Sequence, residues 1–361
     1  MKLRRALAYA GFLLVFAAAV DGLFGAFARA TGDRPFRIEH PYYHHGLRPL
    51  SDVETSWGGR RYAMRTDSLG FRAASAERVD PRSPGRRVVL IGDSTVEGLG
   101  VAYPDTTAGL LAARGRDRGI EVRNAGVVSY SPKLYYLRTR WLLEHDGLAF
   151  ERLVVFVDVS DIHDEVLYES FVPRAGAWPL VAAWWRGHSL VWQLLDRHVF
   201  ARAAIDNHFR TDAGIDLWMR TVDAYRKPVG DPDAGRWEWT YDEGAYHAFG
   251  EHGLALADAN MTALAALCRA RSIELAVVVY PSPYQIFAND RESRQATFWR
   301  RFCEREGVAF VDLFPVFVDP PRLAPLAAYQ QYFLPDDVHW NEAGHALVAD
   351  RVEEVVLGGP R

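Results

Sequence analysis

Runs of branched apolar residues alternate with amphipathic stretches along most of the chain after residue 84. Short apolar runs bounded by turn residues predict buried strands, and apolar positions recurring every three or four residues predict helices. Strands are predicted at residues 88–91, 120–123, 153–157, 275–280 and 309–313. Helices are predicted at residues 106–118, 134–144, 256–271, 293–306 and 341–356. Strands that alternate with helices indicate an α/β fold, with a parallel five-stranded sheet covered on both faces.

One connection in this pattern is far longer than a crossover between parallel strands needs. More than a hundred residues separate the third and fourth predicted strands, whereas about a dozen suffice. We interpret residues 165–255 as an inserted helical subdomain, with a helix at 180–197. It holds most of the tryptophans, namely Trp178, Trp184, Trp185, Trp192, Trp218, Trp237 and Trp239. They either form the core of the insertion or make it a lid, a sugar-stacking surface or a membrane-interface surface.

The first 30 residues form an apolar segment behind a basic start. Lys2, Arg4 and Arg5 precede an apolar run over residues 6–20, and after Asp21 the chain is mostly apolar again to residue 28. We predict a membrane anchor over residues 1–30, with a cleaved signal peptide as the alternative. Both place the remainder outside the cytoplasm, in the periplasm, because the positive end stays inside. A cleaved chain would be secreted.

Residues 31–84 are rich in turn formers and show little periodicity, so we expect an extended lead-in that wraps the main domain at 85–357. The whole chain has 361 residues, enough for one elaborate domain. Its formal net charge of −4 supplies no basic field for a nucleic-acid partner. Cys268 and Cys303 are predicted to be two independent buried thiols, with a disulfide as the alternative in an exported protein.

Gly92-Asp93-Ser94 follows directly on the first predicted strand of the sheet. Ser94 then lies at a strand-to-helix turn at the carboxyl end of the sheet, where α/β proteins bind ligands. It is either a nucleophile or a helix N-cap, a common position for serine.

A nucleophilic serine needs a base, and the base needs an acid to orient it. The segment around His339 offers both, since Asp336 and Asp337 precede this histidine in a turn. An aspartate three residues ahead of a histidine, here Asp336, can reach back to the imidazole and fix its tautomer. In the alternative, Asp337 is the partner.

These motifs together resemble the SGNH/GDSL hydrolase family, in its membrane-anchored type that faces the bacterial envelope. The resemblance implies a three-layer, flavodoxin-like fold. It assigns Ser94 as nucleophile, His339 as base and Asp336 as acid. Asn124-Ala125-Gly126 matches the second block of the family, in which the glycine N–H, here that of Gly126, helps to form the oxyanion hole. No cofactor and no metal are implied.

The third block departs from the family pattern. Ser160 occupies the position of the usual asparagine, whose side chain donates to the oxyanion. A serine hydroxyl is also a donor, so Ser160 is the candidate replacement, unless a group from the insertion acts instead. The acidic residues around it, Asp158, Asp161, Asp164 and Glu165, invite a metal site, which we disfavour because they form no coordinating loop pattern.

The resemblance and the N-terminal segment together predict a serine ester hydrolase that removes acyl groups from a glycan or lipid of the cell envelope. One alternative is an O-acyltransferase that uses the same triad, beside a membrane partner that supplies the acyl group. The other alternative is a weakly active or inactive glycan-binding protein, which the replacement at Ser160 suggests.

Overall fold

A computed structural model describes residues 2–30, 36–83, 85–195, 236–318 and 324–358 of the chain. Its strands are β1 Arg37–His40, β2 His44–Leu47, β3 Asp52–Trp57, β4 Arg60–Arg65, β5 Arg86–Ile91, β6 Ile120–Asn124, β7 Arg152–Val157, β8 Glu274–Val279 and β9 Ala309–Asp312. Its helices are α1 Lys2–Ala30, α2 Ser94–Glu97, α3 Thr107–Arg116, α4 Pro132–Glu144, α5 Asp161–Tyr168, α6 Ala177–His188, α7 Leu190–Leu195, α8 Glu243–Ala245, α9 Glu251–Ala270, α10 Pro283–Phe287, α11 Arg294–Glu306, α12 Phe314–Phe317, α13 Pro325–Tyr332 and α14 Glu342–Leu357.

Strands β5 to β9 form one parallel sheet in the order β6-β5-β7-β8-β9. The central strands are buried, which explains their near-continuous apolar sequences. Helix α3 packs with α14, and α4 packs with α9. The predicted α/β fold with five parallel strands is therefore confirmed. The strand order reverses between β5 and β7, and the carboxyl ends of strands at such a switch point are where open α/β sheets place their ligand sites.

The structure differs from the expected lead-in over residues 31–84. Two antiparallel hairpins occupy it, β1 with β2 and β3 with β4. Gly58 and Gly59, with φ of 55° and 74°, form the two-residue turn of the second hairpin. Positive φ at both turn positions gives a twist that suits a tight hairpin, so this glycine pair was a usable signal.

The chain divides into two compact units, residues 1–48 with 172–224 and residues 49–171 with 225–361. The second unit holds the five-stranded sheet. In the first, α1 packs against α6 and α7. Its stretch Leu7–Ala26 has a mean hydropathy of 2.0 and is long enough to cross a membrane, as an anchor or a signal sequence would be.

The helix predicted at 180–197 is interrupted at Ser189, which separates α6 from α7. Residues 196–235 of the predicted insertion, including Trp218, lie outside the described residues. Cys268 and Cys303 are both free and buried, as predicted.

Candidate active site

The turn after β5 presents Ser94 at the first position of α2. A side chain at Gly92 would collide with Val96 and with the backbone of Phe156, so only glycine allows this turn to lie so close to its neighbours. Asp93 is the N-cap of α2, and its Oδ1 accepts from the N–H of Thr95 at 2.9 Å. The capping position therefore falls to Asp93, which leaves the hydroxyl of Ser94 available for chemistry.

His339, which lies 245 positions later in the chain, faces that hydroxyl. Its Nε2 is 2.8 Å from Oγ of Ser94, while Oδ2 of Asp93 is 3.2 Å from the same oxygen. The ring of His339 is buried, and its Nδ1 lies 2.7 Å from Oδ1 of Asp337. A carboxylate at Nδ1 assigns the proton to that nitrogen, so Nε2 carries the lone pair that receives the serine proton.

The prediction that Asp336 holds the imidazole is wrong. Residues 334–337 form a turn in which the N–H of Asp337 donates to the carbonyl of Leu334 at 3.2 Å. Pro335 and Asp336 are its central residues, and Asp336 has φ 53°, which is the arrangement of a type II turn. The tip residue Asp336 is exposed, whereas Asp337 is 3% exposed and contacts His339.

The carboxylate of Asp337 is held from a second side by the β3–β4 hairpin. Nε1 of Trp57 donates to its Oδ2 at 2.6 Å, and the indole ring lies edge-on to the His339 ring at 5.3 Å between centroids. The main-chain N–H of Asp337 also donates to the hydroxyl of Tyr329 at 2.9 Å. Sequence reasoning missed Trp57, because nothing in the sequence brings a hairpin next to a turn 280 residues away.

Gly126, the expected oxyanion donor of the second block, has a different role in the structure. The N–H of Gly126 donates to Oδ1 of Asn124 at 2.9 Å, so it is already occupied. A side chain at Gly126 would come within 2.7 Å of the N atom of Glu97, which gives this glycine a packing role against α2. The prediction of Gly126 as an oxyanion donor therefore does not agree with the hydrogen bonds.

Ser129 is a second residue that sequence reasoning missed. The segment after β6 continues along β5 in steps of two, with Ala125 N to Leu90 O at 2.8 Å and Val127 N to Gly92 O at 3.1 Å. A turn follows, in which the N–H of Tyr130 donates to the carbonyl of Val127 at 3.1 Å and the third residue is Ser129. Its N–H and that of Ser94 have no hydrogen-bond partner among the described residues. Ser129 is buried and has φ 54°, an unusual conformation for a residue other than glycine.

Ser160 lies after β7 at the N-terminal end of α5, and it is buried. Its N–H donates to Oδ1 of Asp158 at 2.7 Å, and its hydroxyl makes no cap hydrogen bond to α5. The hydroxyl therefore remains available as a donor, at a strand end next to that of Ser94.

Three buried carboxylates, those of Asp93, Asp158 and Asp161, have oxygens within 4.8 Å of one another. Burial, together with the charge of Asp158, raises the pKa of Asp93 to about 7. Burial, together with the charges of Asp93 and Asp158, raises the pKa of Asp161 well above its usual range. The buried charges at this distance therefore disfavour ionisation of Asp93 and Asp161.

This cluster is also the one group among the described residues whose geometry could hold a metal ion. Tyr135 donates to Oδ2 of Asp161 at 2.7 Å, and Tyr280 donates to Oδ1 of Asp93 at 3.1 Å. Main-chain N–H groups of Thr95 and Ser160 donate to Oδ1 of Asp93 and to Oδ1 of Asp158. Several oxygens of the cluster therefore already accept hydrogen bonds, whereas Oδ1 of the buried Asp161 has no partner in the described part of the chain.

The returning end of the insertion contributes a cation near this cluster. Nη2 of Arg236 contacts both carboxylate oxygens of Asp164, at 2.9 and 3.0 Å. Asp158 and Asp93 interact electrostatically with the same guanidinium. The buried Trp239 fixes this segment, since its Nε1 donates to the carbonyl of Val159 at 2.8 Å.

A sequence model described as the GDSL-like Lipase/Acylhydrolase family matches residues 90–347, a span that contains every residue of this site except Trp57. The chain belongs to this family. Ser94, His339 and Asp337 are hydrogen-bonded in this order. The protein is therefore a serine ester hydrolase of the GDSL-like family. No curated protein matches the sequence.

Solved structures similar to this GDSL-like chain include an acetylxylan esterase from Geobacillus stearothermophilus, with 14% identity, 76% of this chain and 95% of that one covered, and a TM-score of 0.41. A GDSL-like lipase from Bacteroides thetaiotaomicron has 12% identity, coverage of 75% and 87%, and a TM-score of 0.37. A psychrotrophic esterase from a Pseudoalteromonas species has 11% identity, coverage of 74% and 95%, and a TM-score of 0.38.

Proposed function

We propose that this ester hydrolase removes acyl groups from a glycan or lipid of the cell envelope through an acyl-enzyme on Ser94. The hydrogen-bond chain from Ser94 through His339 to Asp337 carries the chemistry, because each member has the partner that its role requires. The apolar helix α1 supports the location, since it is long enough to anchor the chain at a membrane.

In the first half-reaction, Oγ of Ser94 attacks the ester carbonyl and its proton passes to Nε2 of His339. Asp337 stabilises the imidazolium without taking the proton. The negative oxygen of the tetrahedral intermediate is held by the N–H groups of Ser94 and Ser129 and by the hydroxyl of Ser160. The intermediate then expels the alcohol, which takes the proton from His339, and the acyl group stays on Ser94.

In the second half-reaction, a water molecule gives a proton to His339 and attacks the acyl carbonyl of the ester on Ser94. The same three donors stabilise the second oxyanion. Collapse breaks the bond to Oγ, and His339 returns its proton to the serine, which releases the carboxylic acid.

The test combines a fluorophosphonate probe with the natural class of substrate. We expect the full chain to be labelled and Ser94→Ala to remain unlabelled, which establishes the nucleophile. Next, O-acylated envelope polysaccharide and acylated lipid are incubated with both proteins and the released acid is measured. Labelling without release from either material contradicts the substrate class. Acyl transfer to an added glycan in excess of hydrolysis favours a transferase.

A further inference from the structure

Helices α6 and α7 form a second apolar surface, beside α1 in the same unit. Helix α6 has no buried residue, and its large side chains Trp178, Val181 and Trp184 are 78%, 52% and 46% exposed. Their spacing of three residues places them on one stripe of the helix. A stripe of this size facing water is unusual in a soluble protein and marks a binding surface.

The contacts between these helices and α1 are of the kind made inside membranes. Nε1 of Trp185 donates to the carbonyl of Ala18 at 2.8 Å, and a side chain at Gly22 would come within 2.9 Å of the Trp185 ring. A side chain at Gly25 would overlap the carbonyl of His188. Small residues along one face of an apolar helix allow this close approach between helices.

Asp21 is the one acidic residue within the apolar stretch of α1, and its carboxylate accepts hydrogen bonds from the residues at the junction of α6 and α7. Its carboxylate accepts from the hydroxyl of Ser189 and, at 3.1 Å, from the N–H of Leu190. Ser189 is fully buried and its own N–H donates to the carbonyl of Trp185 at 2.7 Å. Non-helical backbone and a carboxylate are tolerated at membrane depth only when they are satisfied in this way.

We propose that residues 177–195 lie in the outer interface of the lipid bilayer beside α1, with the stripe of α6 in contact with acyl chains. The basic residues at the start of α1 place its other end, and so Asp21, on the outer side. Helix α6 has 12 residues and spans about 18 Å, too short to cross a core of about 30 Å. An ion pair of Arg186 with Glu39 of β1, at 2.7 Å, places the opposite face of α6 in a polar setting.

Lipid is the occupant that these observations favour, because the exposed stripe adjoins a helix whose own surface is apolar and exposed. Along α1, side chains such as Leu14 and Val15 are 72% and 71% exposed. Tryptophan is also the residue enriched where a membrane meets water. As an interfacial element, α6 keeps the anchor and the start of the insertion together, which favours a retained α1 over a cleaved one.

The test measures the depth of labels in the membrane. The full chain is placed in phosphatidylcholine vesicles with a single cysteine at Trp178→Cys or Val181→Cys, labelled with an environment-sensitive dye. Phe16→Cys in α1 serves as the deep reference and the exposed Ala76→Cys as the aqueous reference. The native Cys268 and Cys303 are 1% and 2% exposed and stay unlabelled. Fluorophosphonate labelling of each variant verifies its fold, separately from the outcome.

We expect nitroxide lipids with a shallow label to quench residues 178 and 181 by roughly half or more, and iodide in solution to quench them weakly. Asp21→Leu should reduce the lipid quenching, and Asp21→Asn, which keeps an acceptor oxygen, should preserve it. Three results overturn the proposal: quenching like that of Ala76→Cys, quenching deep in the bilayer like that of Phe16→Cys, or self-quenching between labelled chains in place of lipid quenching.

Discussion

Nε1 of Trp57 donates to Oδ2 of Asp337 at 2.6 Å, while Oδ1 of the same carboxylate lies 2.7 Å from Nδ1 of His339. The acid of the triad is thus held between the imidazole that it orients and an indole from a hairpin early in the chain. Three separate segments have to meet for the site to form, namely those around residue 57, around residue 94 and over residues 337–339.

Single substitutions of the two neighbouring aspartates show which of them is the acid that orients His339. Asp337→Asn should lower kcat on the order of 10³- to 10⁴-fold, because the amide no longer stabilises the imidazolium or its tautomer. The exposed Asp336→Asn should stay within about twofold of the parent, as surface changes usually do. Steady-state hydrolysis of p-nitrophenyl acetate measures both. The reverse ranking would restore Asp336 as the acid.

Trp57→Phe tests the second contact of Asp337. The aromatic ring remains, but one carboxylate oxygen loses a donor, and a hydrogen bond to a charged group contributes about 1.5–3 kcal/mol. We expect kcat to fall roughly 10- to 100-fold at similar KM. The matched control is Trp299→Phe, since Nε1 of the buried Trp299 has no hydrogen-bond partner in the described part of the chain. Equal losses in both variants would reduce Trp57 to a packing role.

The donor that replaces the usual asparagine is tested at Ser160. Ser160→Ala should lower kcat by about 10- to 100-fold with little change in KM, because the oxyanion forms only during reaction. Ser160→Asn supplies an amide donor and should retain more activity than the alanine variant. Initial rates over a range of substrate concentrations separate kcat from KM. An unchanged kcat in Ser160→Ala would mean that the main-chain N–H groups alone stabilise the oxyanion.

Glycine substitutions distinguish the two residues of the second block. Gly126→Ala forces a methyl group against α2, so we expect a loss of about 1–3 kcal/mol in unfolding free energy and a lower kcat. Ser129→Gly removes the steric strain that a side chain causes at positive φ and retains the main-chain N–H. It should therefore keep kcat, with the unfolding free energy unchanged or higher by up to ~1 kcal/mol. Denaturant unfolding and hydrolysis rates measure both. Gly85→Ala is the control, since the nearest atom to its added methyl group is 3.8 Å away. Full activity in Gly126→Ala would contradict the packing role.

The raised pKa of Asp93 predicts how stability changes with pH. The folded protein binds the proton of Asp93 more tightly than the unfolded chain does. The contribution of this group to the unfolding free energy therefore falls as pH rises from about 4 to about 7. The slope is at most about 1.4 kcal/mol per pH unit. In Asp93→Asn the slope in this window should decrease, because the side chain no longer titrates. Urea unfolding at several pH values measures it, with the exposed Asp117→Asn as control. An unchanged slope in Asp93→Asn would show that Asp93 is ionised throughout.

The sheet and the position of Ser94 in a strand-to-helix turn could be predicted from the sequence, because both depend on local patterns. Apolar runs mark the five parallel strands, and the close approach at Gly92 requires a glycine before Asp93-Ser94. His339 followed from its position in a turn before a helix. These signals lie close together in the sequence, whereas the contact of His339 with Ser94 joins residues 245 positions apart.

The errors arise where the backbone decides which way a side chain faces. Pro335 and Asp336 form the centre of a tight turn, so the next residue, Asp337, faces inward; spacing alone favoured Asp336. Gly126 was chosen as a donor by motif, yet Asn124 occupies its N–H. Neither result is visible without the hydrogen bonds. The contact of Trp57 is less predictable still, because it depends on tertiary packing.

The distance along the chain between Ser94 and His339 has a consequence for the order of synthesis. The strand and turn that present the serine are synthesised first, and the imidazole of His339 follows 245 positions later. A growing polypeptide therefore carries an unactivated hydroxyl until the segment with His339 and its carboxylate has emerged and packed against the sheet. Esters that meet the nascent enzyme before that stage are left intact.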